Sequence, residues 1–237
     1  MGHETAELAG DLKATANEQG WAWHSPVPTT HANALAHAIG PIIKPSIQHQ
    51  GRKTLRPFKK TEAPLNSMSA VVGTASQPFH TDCAYLPVPP RYVMLTCISL
   101  GEADCCTHVW AVDWRRLLPA PPIVLTHPGW IVRGGGLRRP FYSQILNQLG
   151  DHRSFIRFDP CCMTPPHFCN LAVSEVSAAL ESHVYAKTFS WKVGSVLLID
   201  NWRCLHGRGP GADRAPSRRL ERWYIGERDG MVDANSL

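Results

Sequence analysis

The sequence predicts a mostly β fold with flanking helices, built around a β-barrel or jelly-roll core. Three observations point there. From Tyr92 onward, short stretches rich in apolar and β-branched residues recur at strand length. The 18 glycines and 20 prolines are on the high side and supply the turns that such a loop-rich fold needs. The 43% apolar content of 237 residues is enough to bury one core, at a length where all-β barrels are routinely single domains. One domain over 1–237 is therefore expected, with a helical lead-in at 1–50, a jelly-roll core at 66–226 and a lid-like insertion at about 133–153.

The elements follow in order. Ala6 to Asn17 reads as a helix and Trp21 to His24 as a strand. Thr30 to Ile39 reads as a second helix, with Thr29 or Thr30 as its N-cap. Gly51 to Gln77 is mixed and polar, consistent with loops around one short strand. Tyr92 to Ile98 and Thr107 to Val112 are strands by composition. The stretch after Gly134 has no clear periodicity and carries Arg133, Arg138, Arg139 and Arg153, which is why a lid is expected there. Phe155 to Phe158 reads as a strand. Asn170 to Tyr185 has apolar residues at helical spacing. Thr188 to Trp191 and Ser195 to Asp200 read as strands joined by a turn at Lys192-Val193-Gly194, and Arg219 to Gly226 as the last strand.

Charge and cysteine usage narrow the function classes. The net charge of +5 is spread along the chain without a dense basic block, so nucleic acid is not an expected partner. No apolar run approaches a membrane span, and the polar N-terminus lacks a signal-peptide core. A cytoplasmic location is expected. The eight cysteines, including the neighbours Cys105-Cys106 and Cys161-Cys162, then read as reduced thiols. Cys161-Cys162-Met163-Thr164-Pro165-Pro166-His167-Phe168-Cys169 matches no standard zinc spacing and reads as packing.

The chemistry concentrates in His80-Thr81-Asp82 and in His206, at the end of Asp200-Asn201-Trp202-Arg203-Cys204-Leu205-His206. Residues two apart on a strand share a face, so His80 and Asp82 can converge on one point. His206 follows the apolar strand Val196 to Ile199, where a short turn can aim it at the same point. Two imidazoles and one carboxylate on one side of a metal are the ligand set of non-heme Fe(II) oxygenases.

In this order, Phe79-His80-Thr81-Asp82, Asp200 to Arg208, and Arg218 with Arg222 beyond them resemble the taurine dioxygenase (TauD/TfdA) family, which includes clavaminate synthase-like enzymes. The resemblance covers roughly Asn66 to Gly226. It implies a double-stranded β-helix (jelly-roll) core, Fe(II), 2-oxoglutarate as cosubstrate and O2. It also implies hydroxylation of an unactivated C–H bond in a small acidic or amino-acid-like molecule, with release of succinate and CO2. His80, Asp82 and His206 fall on the metal ligands. Thr107 falls on a threonine that hydrogen-bonds 2-oxoglutarate. Arg218 and Arg222 fall on two cosubstrate-side arginines, of which Arg222 is favoured for the forked contact and Arg218 for the chelating end or the substrate. The segment departs from the usual small residues before that threonine, with Asp104-Cys105-Cys106 in their place.

Ser67, Tyr85, Tyr142 and Arg157 are the substrate-pocket candidates, with Asn66, Ser69, Gln144 and Asp159 near them. Trp191 and Trp202 read as core aromatics. Two rival readings use the same residues: a catalytically silent small-molecule-binding jelly roll, and a zinc-dependent hydrolase.

Overall fold

The computed structural model describes residues 2–46, 51–65, 67–134, 139–149, 153–166, 172–181 and 183–227. The chain opens with helix α1 (Gly2–Gln19), strand β1 (Trp21–His24), a 3-10 turn at Thr29–His31 and helix α2 (Ala32–Ile39). Strand β2 (Arg52–Leu55) and the short helix α3 (Met68–Val72) follow, then β3 (Tyr92–Ser99) and β4 (Thr107–Val112). Next come the short helices α4 (Trp114–Leu117) and α5 (Ile123–Thr126) and strands β5 (Trp130–Val132), β6 (Phe141–Ser143), β7 (Leu146–Gln148), β8 (Ser154–Ile156) and β9 (Met163–Thr164). Helix α6 (Val173–Glu181), β10 (Val184–Phe189), β11 (Val196–Asp200), β12 (Cys204–Arg208) and β13 (Arg219–Ile225) complete the described elements. No described helix is long and apolar enough to cross a membrane.

Two antiparallel sheets form the centre. One has the order β1-β11-β3-β13-β2, the other β10-β4-β12. Strand alternation explains how they stack. Val196 and Leu198 of β11, Met94 of β3 and Trp223 and Ile225 of β13 face one way, onto Leu12 and Ala16 of α1 and Leu35 and Ile39 of α2. Leu197 and Ile199, Val93, Leu95 and Cys97, and Leu220 and Tyr224 face the other way, onto Val109 and Ala111 of β4, Phe189 of β10 and Cys204 of β12. The large sheet is thus buried on both faces, which is why β11 reads as a continuous apolar run. Each such leucine, isoleucine or valine withdrawn from water stabilises the fold by about 1.5–3 kcal/mol. A third cluster, around Leu117, Trp130, Ile145, Ile156, Val176 and Leu180, packs the smaller sheets and α6 beneath the outer side of β12, through Leu205.

Several elements differ from the sequence expectation. Neither Thr29 nor Thr30 caps α2: the entry winds as a 3-10 turn from Pro28, and α2 begins after His31 without a side-chain cap. The lid-like segment is partly ordered as β6 and β7, which pair with β5 and β8, while 135–138 and 150–152 lie outside the described residues. The helix expected to Tyr185 stops at Glu181, because Val184 and Tyr185 pair with Val112 and Ala111 at the edge of β4. Thr188 and Phe189 are the end of that same strand, whereas Ser190 and Trp191 lie beyond it. His206 stands on a strand of its own, β12, rather than on a turn.

Candidate metal centre

His80 and His206 meet through backbone pairing. The N–H of each donates to the carbonyl of the other at 3.0 Å, an isolated antiparallel bridge. A reciprocally bonded pair sits about 5.5 Å apart at Cα with both side chains on one face. The two imidazoles accordingly lie side by side, with ring centroids 4.8 Å apart. His206 shares its face of β12 with Cys204, so the rings point into the space between the two central sheets.

Asp82 reaches the same point by a turn, where the sequence expectation was a strand. Past His80 the chain is not extended: Thr81 is buried, its hydroxyl donates to Ile156 O at 2.9 Å, and Cys83 takes the left-handed conformation at φ 57°. The buried Asn201 side chain fixes the turn. Its Oδ1 accepts from Asp82 N–H at 2.9 Å, and its Nδ2 donates to Asp82 O at 3.1 Å and Pro90 O at 3.0 Å. Sequence reasoning gave Asn201 no role; the available signal was a residue of uniformly polar chemistry between a buried strand and a core tryptophan. Asn201→Ala leaves these buried backbone groups without partners and is expected to cost about 1–3 kcal/mol, read as a lowered melting temperature. An unchanged melting temperature counts against the clamp.

The three side chains form a compact donor set. His80, Asp82 and His206 are 7%, 6% and 6% exposed, and their ligand atoms lie within 4.8 Å of one another. His80 Nε2 is 3.7 Å from Asp82 Oδ1, and His206 Nε2 is 3.5 Å from Asp82 Oδ2. Donors about 2.0–2.2 Å from one ion stand about 3 Å apart, so a small contraction seats a metal. The His80 ring donates through Nδ1 to Pro78 O at 3.0 Å, which leaves the Nε2 lone pair for a metal. His206 Nδ1 is buried without a hydrogen-bond partner among the described residues.

Electrostatics prepare the ligands. Burial favours a neutral Asp82, but Arg222 first, and then His206 and His80, hold its carboxyl well below the usual range. Arg222 Nη1 lies 3.0 and 3.2 Å from the two carboxylate oxygens. Burial pushes the His206 imidazole down; the same burial effect at His80 is outweighed by Asp82, then Asp159 and the Pro78 carbonyl, so that imidazole is raised. An ionised carboxylate and a neutral imidazole are the forms a divalent metal binds.

The other sequence candidates are dispersed. Thr107 begins β4, 4% exposed, and its hydroxyl accepts from Trp191 Nε1 at 3.1 Å. Arg218 is 5% exposed, and its guanidinium makes no hydrogen bond or ion pair among the described residues. Tyr85 stands near the ligands, its hydroxyl 3.8 Å from Cys83 Sγ. Ser67 instead caps α3, accepting from Ala70 N–H at 3.3 Å. Tyr142 is 73% exposed on β6, and the Arg157 guanidinium is occupied by the carbonyls of Ala84, Leu86 and Pro87. Asn66 lies outside the described residues, as do His167 to Cys169 of the second cysteine cluster. Every described cysteine is a free thiol, and Cys106 Sγ is 3.5 Å from His108 Nε2.

No family description matches the sequence, and no curated protein does. Solved structures do match. An asparagine oxygenase in complex with Fe(II), 2S,3S-3-hydroxyasparagine and succinate superposes with a TM-score of 0.67 at 17% identity, over 93% of this chain and 78% of the other. The non-heme iron oxygenase OrfP in complex with Fe and alpha-ketoglutaric acid gives 0.66 at 19% identity, over 94% and 80%. OrfP with Fe, succinate and (3S)-hydroxy-L-Arg gives 0.66 at 18%, again over 94% and 80%. The chain has the fold of non-heme iron oxygenases. Within that oxygenase fold, His80, Asp82 and His206 are a buried group of potential metal ligands among the described residues.

Proposed function

We propose that this chain is an Fe(II)- and 2-oxoglutarate-dependent oxygenase. It hydroxylates an unactivated C–H bond of a small acidic or amino-acid-like molecule, with succinate and CO2 as coproducts. The observation that carries this reading is the pair of imidazole Nε2 atoms turned on one ionised carboxylate, at 3.5 and 3.7 Å, between two sheets. The two stacked sheets support a jelly-roll core in a single domain. The amino-acid products held by the asparagine oxygenase and OrfP structures support an amino-acid-like substrate. Free thiols throughout the described chain support a reducing, cytoplasmic setting.

His80, Asp82 and His206 would hold the iron. Iron there supplies O2 activation coupled to oxidative decarboxylation of 2-oxoglutarate. The protein supplies position and dryness. The apolar side chains between the sheets, among them Val109, Leu95 and Leu197, keep bulk water from the inner wall. Thr107 still has its hydroxyl proton to donate to a carboxylate oxygen, since its oxygen already accepts from Trp191. Arg218 is the better anchor for the distal carboxylate of 2-oxoglutarate, in place of the Arg222 favoured by sequence. Arg222 is already engaged by Asp82, whereas Arg218 is a buried cation awaiting an anion.

Mixing the protein anaerobically with Fe(II) and 2-oxoglutarate tests the proposal: the weak visible charge-transfer band of the chelate should appear, and vanish in Asp82→Ala. A wild-type protein without the band refutes the reading. In the same titration, Arg218→Met is expected to raise the 2-oxoglutarate dissociation constant about 100-fold, the loss typical of an unpaired buried anion. A larger loss in Arg222→Met than in Arg218→Met returns the fork to Arg222.

A further inference from the structure

The segment Asp104-Cys105-Cys106-Thr107-His108 is set apart by its two adjacent thiols, and it carries a second chemistry on its outer face. Burial alternates along it. Cys105 and Thr107 are 2% and 4% exposed, while Asp104 is exposed and Cys106 and His108 are half-buried. Thr107 turns toward Trp191 and the cluster between the central sheets, so its neighbours Cys106 and His108 leave the opposite face. Three metal-binding side chains thereby stand at alternate positions, 104, 106 and 108.

Two of them already sit at chelating distance. Cys106 Sγ is 3.5 Å from His108 Nε2. Zinc bonds sulfur at about 2.3 Å and imidazole nitrogen at about 2.0–2.1 Å, so at a tetrahedral angle its two donors stand about 3.5 Å apart. The imidazole is also aimed. Burial, then Asp104 and Cys105, push the Cys106 thiol up, so it keeps its proton and donates to Nε2. The ring hydrogen is then on Nδ1, which donates to Thr188 Oγ1 at 2.9 Å. Thr188 stands there because it is the direct partner of His108 across β4 and β10. An outer hydrogen bond of this kind orients metal-binding histidines. Gly209 keeps the tips clear: its N–H donates to Cys106 O at 2.9 Å, and a side chain there would strike Cys106 Sγ and His108 Nε2. The exposed Asp104 carboxylate is tethered by a long bond, accepting from Ser190 Oγ at 3.3 Å, so it can swing toward the pair.

We propose that Asp104, Cys106 and His108 form a second metal site, on the outer face of the small sheet, that takes zinc or a similar borderline-soft divalent cation. Thiolate, imidazole and carboxylate in one set suit zinc. The thiolate separates this site from His80, Asp82 and His206, which offer nitrogen and oxygen alone. On binding, the Cys106 S–H bond breaks, its proton passes to solvent and a sulfur–metal bond forms, with no change of oxidation state. Water takes the fourth position. The site stands independently of the oxygenase reading, because its three ligands lie on the far side of the strand from the iron ligands.

The test titrates the full chain anaerobically, its thiols reduced, with Co2+, which reports its ligands by colour. Asp82→Ala serves as the background, so that the first ligand set is broken. Co2+ should give the intense near-ultraviolet band of thiolate-to-cobalt charge transfer, and Zn2+ added afterwards should bleach it. Cys106→Ser should abolish the band. His108→Phe should weaken cobalt binding more than about 100-fold, and Thr188→Val and Asp104→Asn about tenfold or more. Cys161→Ser, which removes an exposed thiol elsewhere, should leave the band unchanged. Absence of the band in the Asp82→Ala background overturns the proposal, as does a band that survives Cys106→Ser or is lost in Cys161→Ser. Unchanged affinity in His108→Phe or Asp104→Asn overturns the ligand set. Should Cys106→Ser unfold the protein, the exposed substitutions Thr188→Val and Asp104→Asn still decide, since both must weaken cobalt binding.

Discussion

His206→Ala is expected to abolish metal-dependent turnover while leaving the metal-free protein folded. Losing even an outer partner of a ligand costs about 10–100-fold in metal affinity, and losing one of three ligands costs more. The stability side has a different sign. The bridge that joins residues 80 and 206 is made by backbone groups, which alanine keeps. Asp82 retains Arg222 at 3.0 Å and His80 at 3.7 Å. The lost imidazole also carried a buried Nδ1 without a partner among the described residues, so its removal ends an uncompensated desolvation. The two readouts should therefore separate: Fe(II) affinity falls by more than about 100-fold, and the melting temperature of the metal-free protein moves little. His24→Ala, at the exposed end of β1, serves as a control for histidine loss in general. Affinity within tenfold of wild type in His206→Ala would remove this residue from the ligand set and the oxygenase proposal with it.

The ligand residues were legible in the sequence, but the geometry that joins them was only partly so. His80 and Asp82 announced themselves by residue type and spacing. Strand pairing places His80 but does not explain Asp82, because the chain turns at Thr81 to Cys83. What brings Asp82 to the imidazoles is Asn201, 119 residues away, and no local pattern encodes that contact. Periodicity found β1, β3, β4, β11 and β13 because each alternates between two buried faces or runs apolar through both. It failed at β10, where Val184 continues the helical spacing of α6 yet pairs with β4. It also failed at α3, α4 and α5, which are four or five residues long, too short for a 3.6-residue period to emerge.

Arg157→Met is expected to destabilise the protein by about 3 kcal/mol, the largest stability loss among these substitutions. Sequence position suggested a substrate contact; the surroundings give it structural work. Arg157 is 1% exposed, and no carboxylate pairs with it among the described residues. Burial pushes its guanidinium down to about 10, against a raising effect from Cys162, so the charge is held at a cost. Three carbonyls offset that cost. Nη1 donates to Ala84 O and Leu86 O, and Nη2 to Pro87 O at 2.6 Å. The planar group also sits against the Phe141 and Phe155 rings, 5.1 and 5.3 Å from their centroids. Together these contacts fold the 84–87 loop back on itself immediately after the Asp82 turn. Methionine matches the stem but not the fork, and leaves the buried Ala84 and Leu86 carbonyls unsatisfied, while Pro87 lies at the surface. Relief of the buried charge returns part of the loss, which is why the expected figure stays below the sum of three charged hydrogen bonds. At this chain length about 3 kcal/mol lowers the melting temperature by about 6–12 °C. Arg157→Lys should recover only part of it, because one ammonium cannot reproduce the fork that spans three acceptors. A substrate-binding arginine would behave oppositely: Arg157→Met would then raise KM and leave the melting temperature unchanged.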